Sequence, residues 1–366
     1  MHTCPRKPDL NGRYTSTAQF LLAPSGAFLL FLVTVCGLPA QAAQMEGPTL
    51  YEVDPTLAVI SDDGSEAFYA EGSTLTQLNL SQNTSAKLNL DSGVTGKEFQ
   101  LAGFAPAGEL VGYSQTKLWT YDPARQTLRT VFTSPKQKKI RYATIQKATS
   151  SVMVSLAPKD YPADSSEETL SFSIHDLVKL TWRGEKIAEE RIHTRREVLP
   201  PGAVFDNDGS LFFPMRDVYQ CEMEGDSLDG GRCLPVSTEC VFTGGGSPGT
   251  FGARSIAVSG KMIYVFINRL GGSGPGFLVR FQKLRLPESA DLFDNPDGRY
   301  RQVMTLYANS LRSMEILQTN VSDTALCASA NGNHVLIGCQ LFGNKPGERQ
   351  WFKVTNDGRP IPLPLK

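Results

Sequence analysis

Val59-Ile-Ser-Asp-Asp-Gly-Ser-Glu-Ala-Phe-Tyr69 decides how the rest of the chain is read. A short apolar strand runs into a polar turn carrying Gly64, and a second strand follows whose residues alternate between two faces. Glycine takes positive φ without steric cost and Asp bonds back to the local backbone, so Asp-Gly between apolar runs predicts a β-hairpin. Weaker copies follow: Ala105-Pro-Ala-Gly108, Asp206-Asn-Asp-Gly209, Ser259-Gly260, Asn331-Gly332 and Asn356-Asp-Gly358 punctuate strand-like sequence.

Working outward, the strands fall into fours. Segments 74–80 and 86–90 complete the first set, and 100–104, 109–113, 117–121 and 127–132 make the second. The third holds 141–145, 151–156, 169–182 and 186–193, with a polar insertion over 158–168. The fourth holds 202–205, 211–213, 218–221 and a strand at Cys233. The fifth holds 254–258, 262–267 and 276–281 and is expected to close at 301–306. The sixth holds 324–327, 334–339 and 350–354. First strands recur roughly every 50 residues, and four strands per unit at about that period mark propeller blades. The predicted fold is all-β: a single β-propeller of six blades, each of four antiparallel strands, or seven if the wide spacings of the second half hide one more. A pair of β-sandwiches, the competing fold, predicts no shared period. Segment 49–53 is available to complete the last blade.

The 366 residues carry 36 Lys and Arg against 37 Asp and Glu, a formal charge of −1, which gives no general pull toward nucleic acid or anionic membrane. The N-terminal stretch reads as a targeting segment. Arg6, Lys7 and Arg13 precede an apolar run over 27–38, and Ala40-Gln41-Ala42 supplies a small-residue cleavage site. The run is shorter than the about 20 residues of a membrane span. Residues 1–42 are therefore expected to be a secretory signal peptide and 43–366 the propeller domain, periplasmic or secreted, with no span after cleavage. An uncleaved anchor is the competing reading.

Export makes disulfides available. Cys221, Cys233, Cys240, Cys327 and Cys339 remain after cleavage. Cys221 and Cys233 have the same separation as Cys327 and Cys339, and each pair flanks turn-rich sequence. Adjacent antiparallel strands bring such residues within disulfide reach, so the expected bridges are Cys221–Cys233 and Cys327–Cys339. Cys240 could replace Cys233 as the partner of Cys221, or stay free. No C-x-x-C supports a zinc or redox site.

Chemical motifs are sparse. Gly245-Gly-Ser-Pro-Gly249 has the spacing of a nucleophile elbow, but Pro248 lacks the N–H that an oxyanion hole needs after the serine. Asp206, Asp208 and Gly209 suggest a calcium loop without its later Glu, and a hairpin turn accounts for them. His175, His193 and His334 stand beside strands without accompanying carboxylates. Trp119, Trp182 and Trp351 occupy like positions in third strands, where aromatic side chains pack between neighbours. Two basic runs flank the third unit, Lys136, Lys138, Lys139 and Arg141, then Arg191, Arg195 and Arg196; on one rim they would attract an acidic partner.

The Asp-Gly and Asn-Gly turns at 61–64, 206–209 and 330–332 resemble the hairpins of TolB-like bacterial propellers. Tyr121-Asp122-Pro123-Ala124 resembles the outer hairpin of YVTN-type blades. The single Asp91-Ser-Gly-Val-Thr-Gly-Lys-Glu98 resembles one turn of the quinoprotein dehydrogenases, which repeat it in every blade. The TolB-like and YVTN-type resemblances imply architecture and an exported location and carry no functional residue, and the single 91–98 stretch reads as a plain loop between blades. The expected function is a non-enzymatic scaffold that binds another protein or a ligand, with no catalytic, cofactor or metal residues assigned. The alternative is a propeller enzyme (hydrolase, lactonase or oxidoreductase) with its site at the axial channel.

Overall fold

The computed structural model describes residues 57–159, 176–183, 186–193, 199, 202–214, 218–224, 227–237, 251–269, 275–286, 305–306, 308–345 and 348–365. The expected signal peptide, segment 49–53, most of the 158–168 insertion, His175, Cys240 and Gly245–Gly249 lie outside them. Among the described residues no helix is long and apolar enough to cross a membrane.

Strands β1 (Ala58–Ile60), β2 (Glu66–Glu71), β3 (Thr74–Asn79) and β4 (Thr84–Leu88) pair in chain order as the first sheet. A short helix α1 (Ser92–Thr95), capped by the Asp91 carboxylate, leads to the second: β5 (Gln100–Phe104), β6 (Leu110–Tyr113), β7 (Lys117–Asp122) and β8 (Thr127–Thr133). The third holds β9 (Lys138–Gln146), β10 (Ser151–Pro158), β11 (Asp176–Arg183) and β12 (Lys186–His193). The fourth holds β13 (Val204–Phe205), β14 (Leu211–Pro214), β15 (Val218–Glu224) and β16 (Ser227–Ser237). The last has seven strands: β17 (Phe251–Ser259), β18 (Met262–Arg269), β19 (Gly276–Gln282), β20 (Glu315–Ala328), β21 (His334–Leu341), β22 (Gln350–Thr355) and β23 (Ile361–Leu363).

The turn chemistry read from the sequence starts three of these sheets and recurs inside the last, between β20 and β21. Gly64, Gly108, Gly209 and Gly332 take φ of 65°, 85°, 86° and 71°. Each donates its N–H to the carbonyl three residues back, over 2.9–3.0 Å. In three of the turns the residue before glycine locks the exit: Asp63, Asp208 and Asn331 each accept an amide bond of 2.9 Å from two residues on. Each of these turns joins a first strand to a second: β1 to β2, β5 to β6, β13 to β14 and β20 to β21. The first strands in turn form a closed circuit of neighbours, β1 to β5, β9, β13, β17, β20 and back to β1. That circuit, with each sheet extending outward from it, is a β-propeller arrangement.

The seven-stranded sheet departs from the expected pattern at one place. Thr305 and Leu306 are helical, so they do not supply the closing strand read at 301–306. The strand that pairs with β19 is instead the first half of β20, and its second half pairs with β21. Elsewhere a separate connection takes the chain from one sheet to the next. Here Asn320, at φ 60°, and a register shift between Val321 and Asp323 re-aim the chain within one strand, so the hydrogen bonding never breaks.

Packing between sheets follows the third-strand tryptophans. Trp119 lies opposite Gly112, and Trp351 opposite Gly338, so the indole rings cover the glycines across the ladder. Trp119 also meets Phe99 edge-on at 5.3 Å, and Trp351 meets Tyr69 of the first sheet at 5.3 Å. Ala325, Cys327, Leu336, Trp351 and Leu363 pack with Ala58, Ile60 and Tyr69, so the first and last sheets share one core. Arg349 fastens the same seam. Its side chain is only 5% exposed, bonds Tyr69 Oη at 2.9 Å and the Asp323 carboxylate, and lies 5.3 Å from the Tyr69 ring.

Candidate functional site

The first strands enclose a cavity of about 100 Å³ to which each contributes, among them Ala58, Gly103, Thr144, Phe205, Ala257 and Cys327. Its wall is mostly small and apolar side chains, with Asn207 and Ser329 where it meets the turns. Gly103, at φ 137°, leaves the room that a Cβ would take from Ile145. Tyr142, also in the wall, donates its hydroxyl to Ala203 O at 2.8 Å. Nearby, Ser255 and Thr324 bond to each other at 2.7 Å, tying β17 to β20. The Cys327 thiol is a free, buried group, and burial pushes its pKa up, against the ionised form that would attack a substrate.

At the end where first strands turn into second strands, the turns hold one another. Asp62 Oδ1 accepts from Ala330 N at 2.9 Å and Asn331 N at 3.1 Å, and Asn331 Nδ2 donates to Asp62 O at 2.7 Å. Ser259 Oγ donates to Gly332 O. The His334 ring lies against Gly64, where a Cβ would come within 2.7 Å of it, and Lys353 donates to Gly64 O. Burial, and then the Lys353 ammonium, hold the His334 pKa below its ordinary value against the pull of Asp63 and Asp62. The Asp63 carboxyl is held down to about 2, first by the Ser65 amide and then by the Ser61 and Ser65 hydroxyls.

The acidic turn at Asp206 and Asp208 already has its cation. Lys283 Nζ pairs with Asp206 and reaches Asp208 Oδ2 at 2.8 Å. Burial alone would raise Asp208, but bonds from Lys283 and Ser210 hold it below the ordinary carboxylate value. An ammonium therefore occupies the place read as a possible calcium loop. Among the described residues no three His, Cys, Asp or Glu side chains come together to hold a metal. His193 ends β12 and His334 begins β21, in different sheets.

The two cysteine pairs part company. Cys221 sits directly opposite Cys233 across the β15–β16 ladder, and it is buried and disulfide-bonded. The Cys327–Cys339 bridge is not formed: both thiols are free and buried. Register is the reason. Cys339 faces Thr324 and Cys327 faces Leu336, an offset of an odd number of residues that sends the two side chains to opposite faces of the sheet. Cys339 packs with the core between β18 and β21, and Cys327 toward β1. Burial pushes Cys339 up to about 12.

No protein-family model matches the chain, and no curated protein does. Solved structures do. A putative TolB from Agrobacterium tumefaciens matches at TM-score 0.44 and 14% identity over 79% of this chain and 87% of that one. An oligogalacturonate lyase from Vibrio parahaemolyticus matches at TM-score 0.40 and 11% identity over 86% and 79%. The tricorn protease matches at TM-score 0.41 and 12% identity, over 88% of this chain and 36% of its own. A TolB-like propeller is thus among the structures this chain resembles. At these scores the likeness is one of general fold, and no residue is carried over from any of them.

Sequence reasoning did not find the Arg349–Asp323–Tyr69 clasp. Its members lie in three strands or connections far apart in the chain, and nothing local to Arg349 marks it. The third-strand tryptophans were visible but the glycines opposite Trp119 and Trp351 were not, and the signal that could have found them is a glycine in the second strand facing a tryptophan in the third.

Proposed function

We propose that the chain is an exported, six-bladed β-propeller that acts without catalysis as a binding scaffold for another protein. In this reading β20 serves twice, as the outermost strand of the fifth blade and the innermost strand of the sixth, which makes six four-stranded blades of the twenty-three strands among the described residues. Residues 1–42 are the secretory signal, 43–366 the propeller, and Cys221–Cys233 a disulfide that suits a periplasmic or secreted location.

The observation that carries the scaffold reading is the wall of the axial cavity. Propeller enzymes with axial sites need ionisable groups converging there, and this wall offers alanine, valine, isoleucine, a hydrogen-bonded tyrosine and a thiol held protonated. Its volume, about 100 Å³, is also well below the roughly 300–1,000 Å³ of ordinary small-molecule pockets. Loops on a rigid ring then carry recognition.

Two measurements test this. In-cell cross-linking followed by mass spectrometry should recover one protein partner in stoichiometric yield, and deletion of 160–168 together with 240–250, outside β10 and β17, should abolish its capture while thermal unfolding stays cooperative. Metal analysis and a panel of hydrolase, lactonase and oxidoreductase substrates form the second. One metal per chain, or turnover that falls when cavity-wall residues are changed, would establish the enzyme instead.

A further inference from the structure

We propose that the end of the ring opposite the inter-locked turns carries a docking strip for an acidic polypeptide segment, formed by Lys97, Lys117, Lys136, Lys138, Lys139 and Lys159. The proposal rests on the scaffold reading above and names the chemistry of the partner and where it binds.

The backbone makes the strip continuous. The β8–β9 connection lies against the β6–β7 turn, with Ser134 N donating to Thr116 O at 2.9 Å and Ile140 N to Gln115 O at 2.7 Å. This seats Lys136, Lys138 and Lys139 next to Lys117. On the other side Lys138 and Lys139 face Pro158 and Ala157 across the ladder, and Lys159 N donates to Gln137 O at 3.0 Å. Lys117 Nζ reaches back to Gly93 O of α1, and Lys97 directly follows the helix's capping Gly96. One line of bonded backbone therefore runs from the second sheet to the third with an amine at every step.

Charge is separated along it. The whole chain is at −1, yet among the described residues the carboxylates on this line are Asp176, paired with Lys138, and the exposed Glu71 and Glu98 at the Lys97 end. Lys97, Lys136 and Lys159 are exposed and form no ion pair among the described residues. A local excess of one sign raises the encounter rate with the opposite sign and selects for it. A bilayer would want apolar side chains beside the lysines. The large exposed hydrophobics among the described residues, Leu311, Ile316, Phe342 and Ile361, all lie in or just before the last strands, away from the strip. The flanking Gln115, Thr116 and Gln137 are polar, which suits a peptide backbone.

The test measures anisotropy of a fluorescein-labelled dodecaglutamate peptide with the purified protein at about 50 mM salt. It is run beside phosphatidylglycerol-containing vesicles and two triple variants. Lys97→Glu with Lys136→Glu and Lys159→Glu should weaken peptide binding by about tenfold or more, since like charges across an interface cost several kcal/mol and 1.4 kcal/mol is tenfold. The control, Arg125→Glu with Lys261→Glu and Arg359→Glu, alters exposed cations at the other end and should leave affinity within about twofold. Wild-type binding should fall as salt shortens the Debye length from about 10 Å at 0.1 M. All substitutions are at the surface, and unchanged circular dichroism verifies the fold. Equal loss in both triples, no peptide binding by the wild type, or preference for vesicles would overturn the proposal. So would binding that appears only on deleting 160–168, because the acidic residues there would then own the strip. Capture of the cellular partner unaffected by the lysine triple sinks the strip alone, whereas turnover found with the strip intact sinks the scaffold reading alone.

Discussion

Replacing Arg349 by Met should destabilise the ring by about 3 kcal/mol. The guanidinium is 5% exposed and pairs with an Asp323 carboxylate that is 35% exposed. Breaking a fully buried pair costs about 3–5 kcal/mol, most of it the stranded partner. Asp323 can regain water, so its share is discounted to about 1–1.5 kcal/mol. The lost hydrogen bond to the Tyr69 hydroxyl adds about 1 kcal/mol, and the lost cation–ring contact about 0.5–1 kcal/mol. Methionine keeps most of the apolar stem buried, which limits any cavity term. An unfolding entropy of about 2.1 cal/mol/K per residue over about 310 residues converts 3 kcal/mol to a fall of about 5 °C in Tm. Scanning calorimetry reads the shift, and urea midpoints with unchanged slope show that the folded state keeps its extent. A double-mutant cycle with Asp323→Asn isolates the pair: the double variant should lose at least about 1 kcal/mol less than the sum of the singles. A loss below about 1 kcal/mol with additive singles would refute the idea that this residue closes the seam.

Gly112→Ala places a methyl group in the ring of the fully buried Trp119; it should cost about 3 kcal/mol or more and flatten the near-ultraviolet tryptophan dichroism, and an unchanged Tm would contradict the close approach. His334 should make the fold acid-sensitive. Its folded pKa lies below the ordinary 6.5, so the unfolded chain protonates first and the stability it contributes is present above about pH 6.5 and lost as pH falls toward the folded value. His334→Gln should reduce the drop in urea midpoint between pH 7.5 and pH 5, and an identical drop would remove His334 from the account. Thiol labelling supplies a further check: Cys327 and Cys339 should be silent in the native protein and react on unfolding, whereas Cys221 should react only after reduction as well. Labelling of Cys221 without reductant would contradict the bond.

The fold was legible where a few neighbouring residues decide the backbone. Gly64, Gly108, Gly209 and Gly332 mark the hairpins because positive φ and a short-range amide bond are local needs, and the chain meets them with Gly after Asp, Ala or Asn. Thr305 and Leu306 lie in a short helix instead of the strand expected at 301–306, because a short apolar run reads alike in both, and only pairing with β19 shows which segment wins. Equal spacing misled in the same way at the cysteines. Cys221 and Cys233 are placed evenly about their hairpin and lie opposite each other in the ladder, whereas Cys327 and Cys339 are placed unevenly about theirs and do not. The cavity wall was beyond the sequence altogether, since one residue in a first strand does not reveal which others face it across the axis.

The claim beneath all of this is that the first and last sheets meet and close a ring. Asp62 and Asn331 touch across the seam although 269 residues apart, so Asp62→Cys with Asn331→Cys should be joined by a short bis-maleimide in the folded protein. The product should migrate as a compact loop on a denaturing gel, in high yield under native conditions and in negligible yield in urea. Equal yields in the two conditions, or none in either, would mean that the ring is open and the account is wrong.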